Sequence, residues 1–456
     1  MNSLPNELLI QIASHLDTEP PSITKFAYEP TSELTCSNFT PLKFLSCASW
    51  RWRKIVLPIL FRYTRISLDT EPQWVPIDAR LVDSMQGQLT KLSNHEYQVY
   101  EKMRSKFKSS PTFAYDEAFD DILRNIVRIQ DGDDFLKSAP NILWFPHLEK
   151  SFAKFGDFIA QYTLKHHIKS IVIHTDKEYE LRRIAAVTAP LDRAVAEIWS
   201  QIFAQLEPTR VVVAAPPTTF EGLLDTEMYS SDTWAFDMKM HYIELRQQEP
   251  LRLDHMTTEC RPWNSALIHR RPWYHLGYNE GSSIAAYNTY EYHLKLAPMM
   301  LYLILVRLAK EARSCCNITS FSFTGIFPFA THLTTIIRAL SRIPTLKNIS
   351  VQFTPGPENN LLNDPKRVGR AQSSDYWLEW SECYKVIASY LGAFGFEDGA
   401  KFRTEDCGSL ELVNDVGEYM DLLRKRGVGW RKEGAGVWIR DHGLDREVTM
   451  DDILVG

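Results

Sequence analysis

Short runs of β-forming residues recur along this chain from Ile168 onward, each followed by a stretch with helical spacing. That alternation constrains the fold more than any other feature. The runs are Ser170-Ile171-Val172-Ile173-His174, Thr209-Arg210-Val211-Val212-Val213, Ile318 to Phe323 and Leu346 to Phe353. A fifth strand is predicted from Ser409 to Val413, before a helix from Val416 to Arg426. Strands alternating with helices argue for an α/β architecture with a sheet of parallel character. Ahead of them, Thr64 to Leu68 reads as one short strand. Arg80 to Phe107, Tyr115 to Leu136 and His147 to His167 read as helices. The predicted organisation is a helical module over 1–68, a helical connector over 69–167 and an α/β unit over 168–456.

The fourth run, with Leu346, Ile349, Val351 and Phe353, resembles the strand of a leucine-rich repeat. The runs begin unevenly, at 170, 209, 318 and 346, so the resemblance implies an irregular leucine-rich-repeat-like array. A doubly wound α/β domain fits the same alternation. Leu296 to Val306 is too short to span a membrane and reads as a buried helix. Pro355 to Ser374 reads as a flexible loop, Tyr376 to Phe394 as a helix, and the Gly and Trp residues from 427 to 438 as a terminal hairpin.

Composition removes several functional classes. The chain has 456 residues and a formal charge of −6, and its Lys and Arg are dispersed. No basic stripe suggests nucleic acid, and no apolar run suggests a membrane. Seven cysteines without regular spacing, and no secretory leader, point to a reducing compartment, cytoplasmic or nuclear. The sequence holds no His-Glu-x-x-His, no phosphate-binding glycine loop and no nucleophile elbow. The expectation is a protein without metal, cofactor or catalysis of its own.

The N-terminus carries the most specific signal. Leu4-Pro5-Asn6-Glu7-Leu8-Leu9 leads into Ile12 and Leu16, an amphipathic helix with Pro5 in its first turn. Pro41 starts a second helix, with Leu42, Leu45 and Cys47 to Trp50 predicted on its buried face. Pro58 is predicted to interrupt the next run, so that Ile59, Leu60 and Phe61 begin a new turn. Short helices of this kind cannot bury all their apolar surface between themselves. The plainer reading is a helical hairpin capping the main domain.

Leu-Pro-x-Glu-Leu-Leu at 4–9, followed by Ser49-Trp50-Arg51-Trp52-Arg53 and Leu57-Pro58-Ile59-Leu60-Phe61-Arg62, resembles the F-box of filamentous fungal proteins. The resemblance covers about a seventh of the chain. It implies docking onto a Skp-family adaptor, and through it a cullin, by Leu4, Pro5, Leu8, Leu9, Ile12, Leu16, Leu45, Trp52, Ile55, Leu57 and Leu60. The chain departs from the pattern at Asp17 to Thr40, a Pro- and Ser/Thr-rich insertion that reads as a loop.

One further segment stands out. Cys260-Arg261-Pro262-Trp263 is echoed by Arg271-Pro272-Trp273-Tyr274-His275, and Tyr287, Tyr290 and Tyr292 follow. Arg, Trp and Tyr dominate binding hot spots, so Arg271, Trp273 and Tyr274 are candidates for contact with an unknown protein substrate. The competing reading is internal packing. Three functions follow: the substrate receptor of a cullin-type ubiquitin ligase, a scaffold that uses the same helices outside a ligase, and an enzyme hidden in 168–456.

Overall fold

The computed structural model describes residues 4–36, 39–68, 73–74, 93–108, 124, 144–145, 147–149, 151–178, 185–226, 232–248, 267–311, 318–356, 359–408 and 410–445. All of the predicted helix at Tyr115 to Leu136 except residue 124, the pair Cys315-Cys316 and the motif Cys260 to Trp263 lie outside them, as does part of Arg80 to Phe107.

Three helices form the N-terminal head: α1 (Asn6–His15), α2 (Thr40–Ala48) and α3 (Trp50–Leu60). Pro41 sits in the first turn of α2. Ser49, in extended conformation, separates α2 from α3, and its hydroxyl accepts from Trp52 N–H at 3.2 Å. Pro58 does not start a new element. It lies inside α3, which runs on to Leu60. Its ring removes the hydrogen bond to the Lys54 carbonyl, but Lys54 is exposed and water can serve instead. Ala13, Leu42, Val56 and Ile59 form a small core among the helices.

The sheet begins directly after the head, earlier than the predicted boundary at 168. Its strands are β1 (Tyr63–Ser67), β2 (Ser170–His174), β3 (Arg210–Ala215), β4 (His241–Arg246), β5 (His275–Ser282), β6 (Ser320–Ile326), β7 (Asn348–Gln352), β8 (Lys401–Thr404), β9 (Trp430–Gly434) and β10 (Val437–Arg440). Their order is β1-β2-β3-β4-β5-β6-β7-β8-β10-β9. Pairs β1–β2–β3 and β5–β6–β7–β8 are parallel, whereas β4 and β10 are antiparallel to their neighbours. Apart from the terminal hairpin, each strand lies beside the one before it in sequence. With right-handed crossovers, such an order sends successive helices to the same side of the sheet.

That side holds the main core. Ile171, Val213, Ile243, Leu276, Phe321, Ile349 and Phe402 join one cluster with Phe152 of α5 (Ser151–Gln161) and Trp199 of α6 (Ala185–Gln205). Phe220 of α7 (Pro217–Leu224), Leu305 of α8 (Met300–Glu311) and Ile336 of α9 (Ala330–Leu340) complete it, with Tyr384 of α10 (Ser373–Ala393) and Val416 of α11 (Leu410–Lys425). The predicted strand at Ser409 to Val413 is replaced by α11, which starts at Leu410; the strand of that unit is β8 instead. The predicted connector contributes α4 (Asn94–Lys108) and α5.

Candidate functional site

The head turns one face to the sheet and leaves the other bare. Leu9 and Leu57 are buried and can meet no partner. Leu4 is half-buried, and so are Leu45, Trp52, Ile55 and Leu60, which pack on the head core. Leu8, Ile12 and Leu16 stand at fourth-residue spacing along α1 and are 43%, 42% and 40% exposed, with Pro5 exposed beside them. Phe44 and Trp50, not among the expected contacts, are 72% and 70% exposed. Trp50 and Cys47 were predicted to be covered and are open. Among the expected docking residues, therefore, the α1 stripe is free and the α3 residues are mostly spent on packing.

The head is fixed to the body. Arg53 Nε donates to the Tyr162 hydroxyl at 3.2 Å, with the guanidinium 5.0 Å from that ring's centroid. Within the head, Arg62 after α3 pairs with Asp17 at the start of the 17–36 segment at 3.1 Å. Phe61 meets Phe158 of α5 at 5.4 Å between ring centroids.

The Arg-Pro-Trp candidates do not form a surface. Trp273 is 1% exposed, and its indole N–H donates to the Leu267 carbonyl at 3.3 Å. Arg271 is 7% exposed, its guanidinium 4.4 Å from the centroid of Phe203. Tyr274 is half-buried, and its carbonyl accepts from Thr319 and Ser320 where β5 and β6 begin. The segment holds strands together, as the packing alternative predicted.

The unexpected feature is the insertion in the head. Residues 17–36 form no free loop. They cross the side of the sheet opposite the helices as a strap. Arg210 of β3 donates to the Ser22 carbonyl at 2.5 Å. Asn279 of β5 donates from its amide nitrogen to the carbonyls of Phe26 and Tyr28, both at 2.7 Å. The Tyr242 hydroxyl accepts from Thr31 N–H and donates to Thr31 carbonyl. Arg65 of β1 donates to the Thr35 carbonyl at 3.0 Å. Sheet side chains thus grip the strap through its backbone, and each bond satisfies a buried or half-buried polar group. Leu34 adds an apolar anchor against Val172, Val212, Ala214, Met240 and Tyr242. Pro30 sits against Gly281, whose φ of +88° suits glycine. Glu29 pairs with Arg367 in the helical turn Pro365–Val368. The stretch from Pro355 to Ser374, predicted as a flexible loop, therefore includes a structured anchor for the strap.

Beyond the strap the same face stays polar. One cross-strand row runs Arg210, Arg246, His275, Ser320, Asn348 and Lys401. Within it, His275 Nδ1 lies 2.8 Å from Ser320 Oγ, and Nε2 lies 3.4 Å from Glu244 Oε2. This places a hydroxyl, an imidazole and a carboxylate in line. Burial would raise the Glu244 carboxyl, but Arg210, His275 and Arg246 together hold it well below the usual range. Its charge is already answered by Arg210 and by Arg246 at 2.9 Å. It has little left with which to activate a neighbouring base, so the cluster reads as a locked polar network. Among the described residues no group of His, Cys, Asp and Glu could hold a metal, and no helix is long and apolar enough to cross a membrane.

No family model matches the chain, and neither a curated protein nor a solved structure matches it.

Proposed function

We propose that the chain is the substrate-receptor subunit of a cullin-type ubiquitin ligase, with the head as an F-box that docks a Skp-family adaptor. The observation that carries this reading is the stripe of Leu8, Ile12 and Leu16, with Phe44 and Trp50, left bare on a head otherwise anchored to the sheet. Large apolar residues without cover mark an interaction site where they cluster, as Leu8, Ile12 and Leu16 do along one face of α1. The F-box-like residues at 4–9 and 49–62 supply the partner's identity. The body is an irregular leucine-rich-repeat-like array, supported by the sequential strand order, which has no reversal of the kind a doubly wound sheet needs at its switch point. The array recruits a protein substrate and holds it near the transfer machinery, whose chemistry resides on other subunits. The compartment is cytoplasmic or nuclear.

The test is a pull-down with purified adaptor. Leu8→Asp with Ile12→Asp should reduce capture at least tenfold, because docking would have to desolvate unpaired charges. Both positions are exposed, so thermal stability should hold. Full capture by the double variant would end the F-box reading. Co-purification of a cullin separates a ligase subunit from a scaffold that binds the adaptor alone.

A further inference from the structure

An open cavity of about 620 Å³ lies where the head meets the edge of the sheet, bounded by the strap, the end of α3, β1 and α5. That size is in the range of small-molecule sites, about 300–1,000 Å³. Leu60, Phe61 and Phe155 line it and are only half-buried, so their apolar surface is left unfinished by the fold. Lys43 from α2 and Arg65 from β1 line it too, and both are exposed. No Asp or Glu is among the lining residues, and among the described residues neither cation has a carboxylate within ion-pair distance. Arg65 spends one N–H on the Thr35 carbonyl, which leaves its remaining donors for a ligand. An apolar recess with two uncompensated cations matches a tail with an anionic head in both chemistry and charge.

We propose that this cavity binds a free aliphatic carboxylate, its chain against the phenylalanine rings and its head between Lys43 and Arg65. The site is a recess between two parts of the chain, so the ligand enters as a monomer and not from a bilayer surface. This inference stands apart from the ligase reading, since it uses none of the bare α1 residues.

Among the described residues, two exposed thiols make the test local. Cys36 lines the cavity, whereas Cys47 is exposed on α2 and does not. The probe is dodecanoate below its micelle-forming concentration, added to the full chain. Alkylation of each cysteine by N-ethylmaleimide is followed by peptide mass mapping. Dodecanoate should slow reaction at Cys36 at least fivefold and leave Cys47 unchanged. Dodecanol, with the same chain and no charge, should need at least tenfold higher concentration for the same protection. Lys43→Ala with Arg65→Ala should remove the preference for the acid. The comparison of acid with alcohol uses the unaltered chain, so it decides the matter even if the variant folds poorly. Absent protection at Cys36, equal slowing at Cys47 or equal potency of dodecanol overturns the proposal. Protection by phosphatidylglycerol vesicles but not by dodecanoate would also overturn it, by assigning the cavity to a membrane surface.

Discussion

His241 is fully buried, with Nδ1 3.3 Å from the Tyr278 hydroxyl. Burial, reinforced by His332, lowers its pKa to about 3. In the unfolded chain it would titrate at about 6.5. Between those values the unfolded state binds a proton and the folded state does not, so stability falls as pH drops below the unfolded value. The contribution at pH 5 is a loss of about 2 kcal/mol relative to pH 7. Urea midpoints at the two pH values should show it, and His241→Gln should shrink the difference. An unchanged difference in the variant would mean that another group carries the acid sensitivity. Trp273 belongs to the same scale. Trp273→Ala should cost roughly 3–5 kcal/mol of folding stability through the cavity it leaves, read as a fall in melting temperature. A stable Trp273→Ala chain that had lost partner binding would restore the surface role. The sequence could not separate these cases, because the aromatic and guanidinium groups that make hot spots also make cores. Only burial distinguishes them, and burial is set by neighbours such as Phe203 and Leu267 that are distant in sequence or unremarkable in type.

At the scale of elements, the strands legible in the sequence have either a continuous β-branched run, as at 170–174 and 209–213, or apolar residues at alternate positions, as at 318–323 and 346–353. Arg210–Ala215 is buried along its whole length and has the composition of a strand covered on both faces. His241–Arg246 and His275–Ser282 are harder to read, because Glu244, Gly277, Asn279, Glu280 and Gly281 are residues that strands tend to avoid. Glu244, His275 and Asn279 are there to bind one another and the strap, not to fill the core. The strap itself could not be read at all. Its Pro-rich composition signals a lack of regular structure, which is correct, but says nothing about where an irregular segment docks. The bare stripe on α1 was legible, since fourth-residue spacing survives without knowledge of the rest. Asn279→Ala removes two bonds to the strap, a loss of roughly 1–3 kcal/mol in local stability. Hydrogen exchange in residues 24–35 should then speed up about tenfold or more, ahead of exchange in the sheet. Unaltered protection there would show that Leu34 and Glu29 hold the strap without the amide.

The whole molecule is less divisible than its sequence suggests. The predicted boundaries near 68 and 168 pass between β1 and β2, which pair in parallel along their length. They also separate the strap from the face it covers. A chain lacking residues 1–62 should therefore fail as an isolated domain. Val212, Ala214 and Tyr242 would lose Leu34, and Arg210 and Asn279 would lose their carbonyl partners. The expected outcome is a markedly lower melting temperature and binding of a hydrophobic dye. A truncated chain as stable as the intact one would reassign the strap to decoration. Point substitutions on α1 are for this reason the cleaner probe of adaptor docking.

The strap also orders events during synthesis. Phe26 and Tyr28 are held by Asn279, 253 and 251 positions further along the chain. At about 5–20 residues per second, a ribosome needs roughly 10–50 s to reach that asparagine. Throughout that interval the strap exists while this anchor does not. The N-terminal helices can thus dock on Phe158 and Tyr162 early, whereas the strap is closed over its face only when most of the sheet has been made.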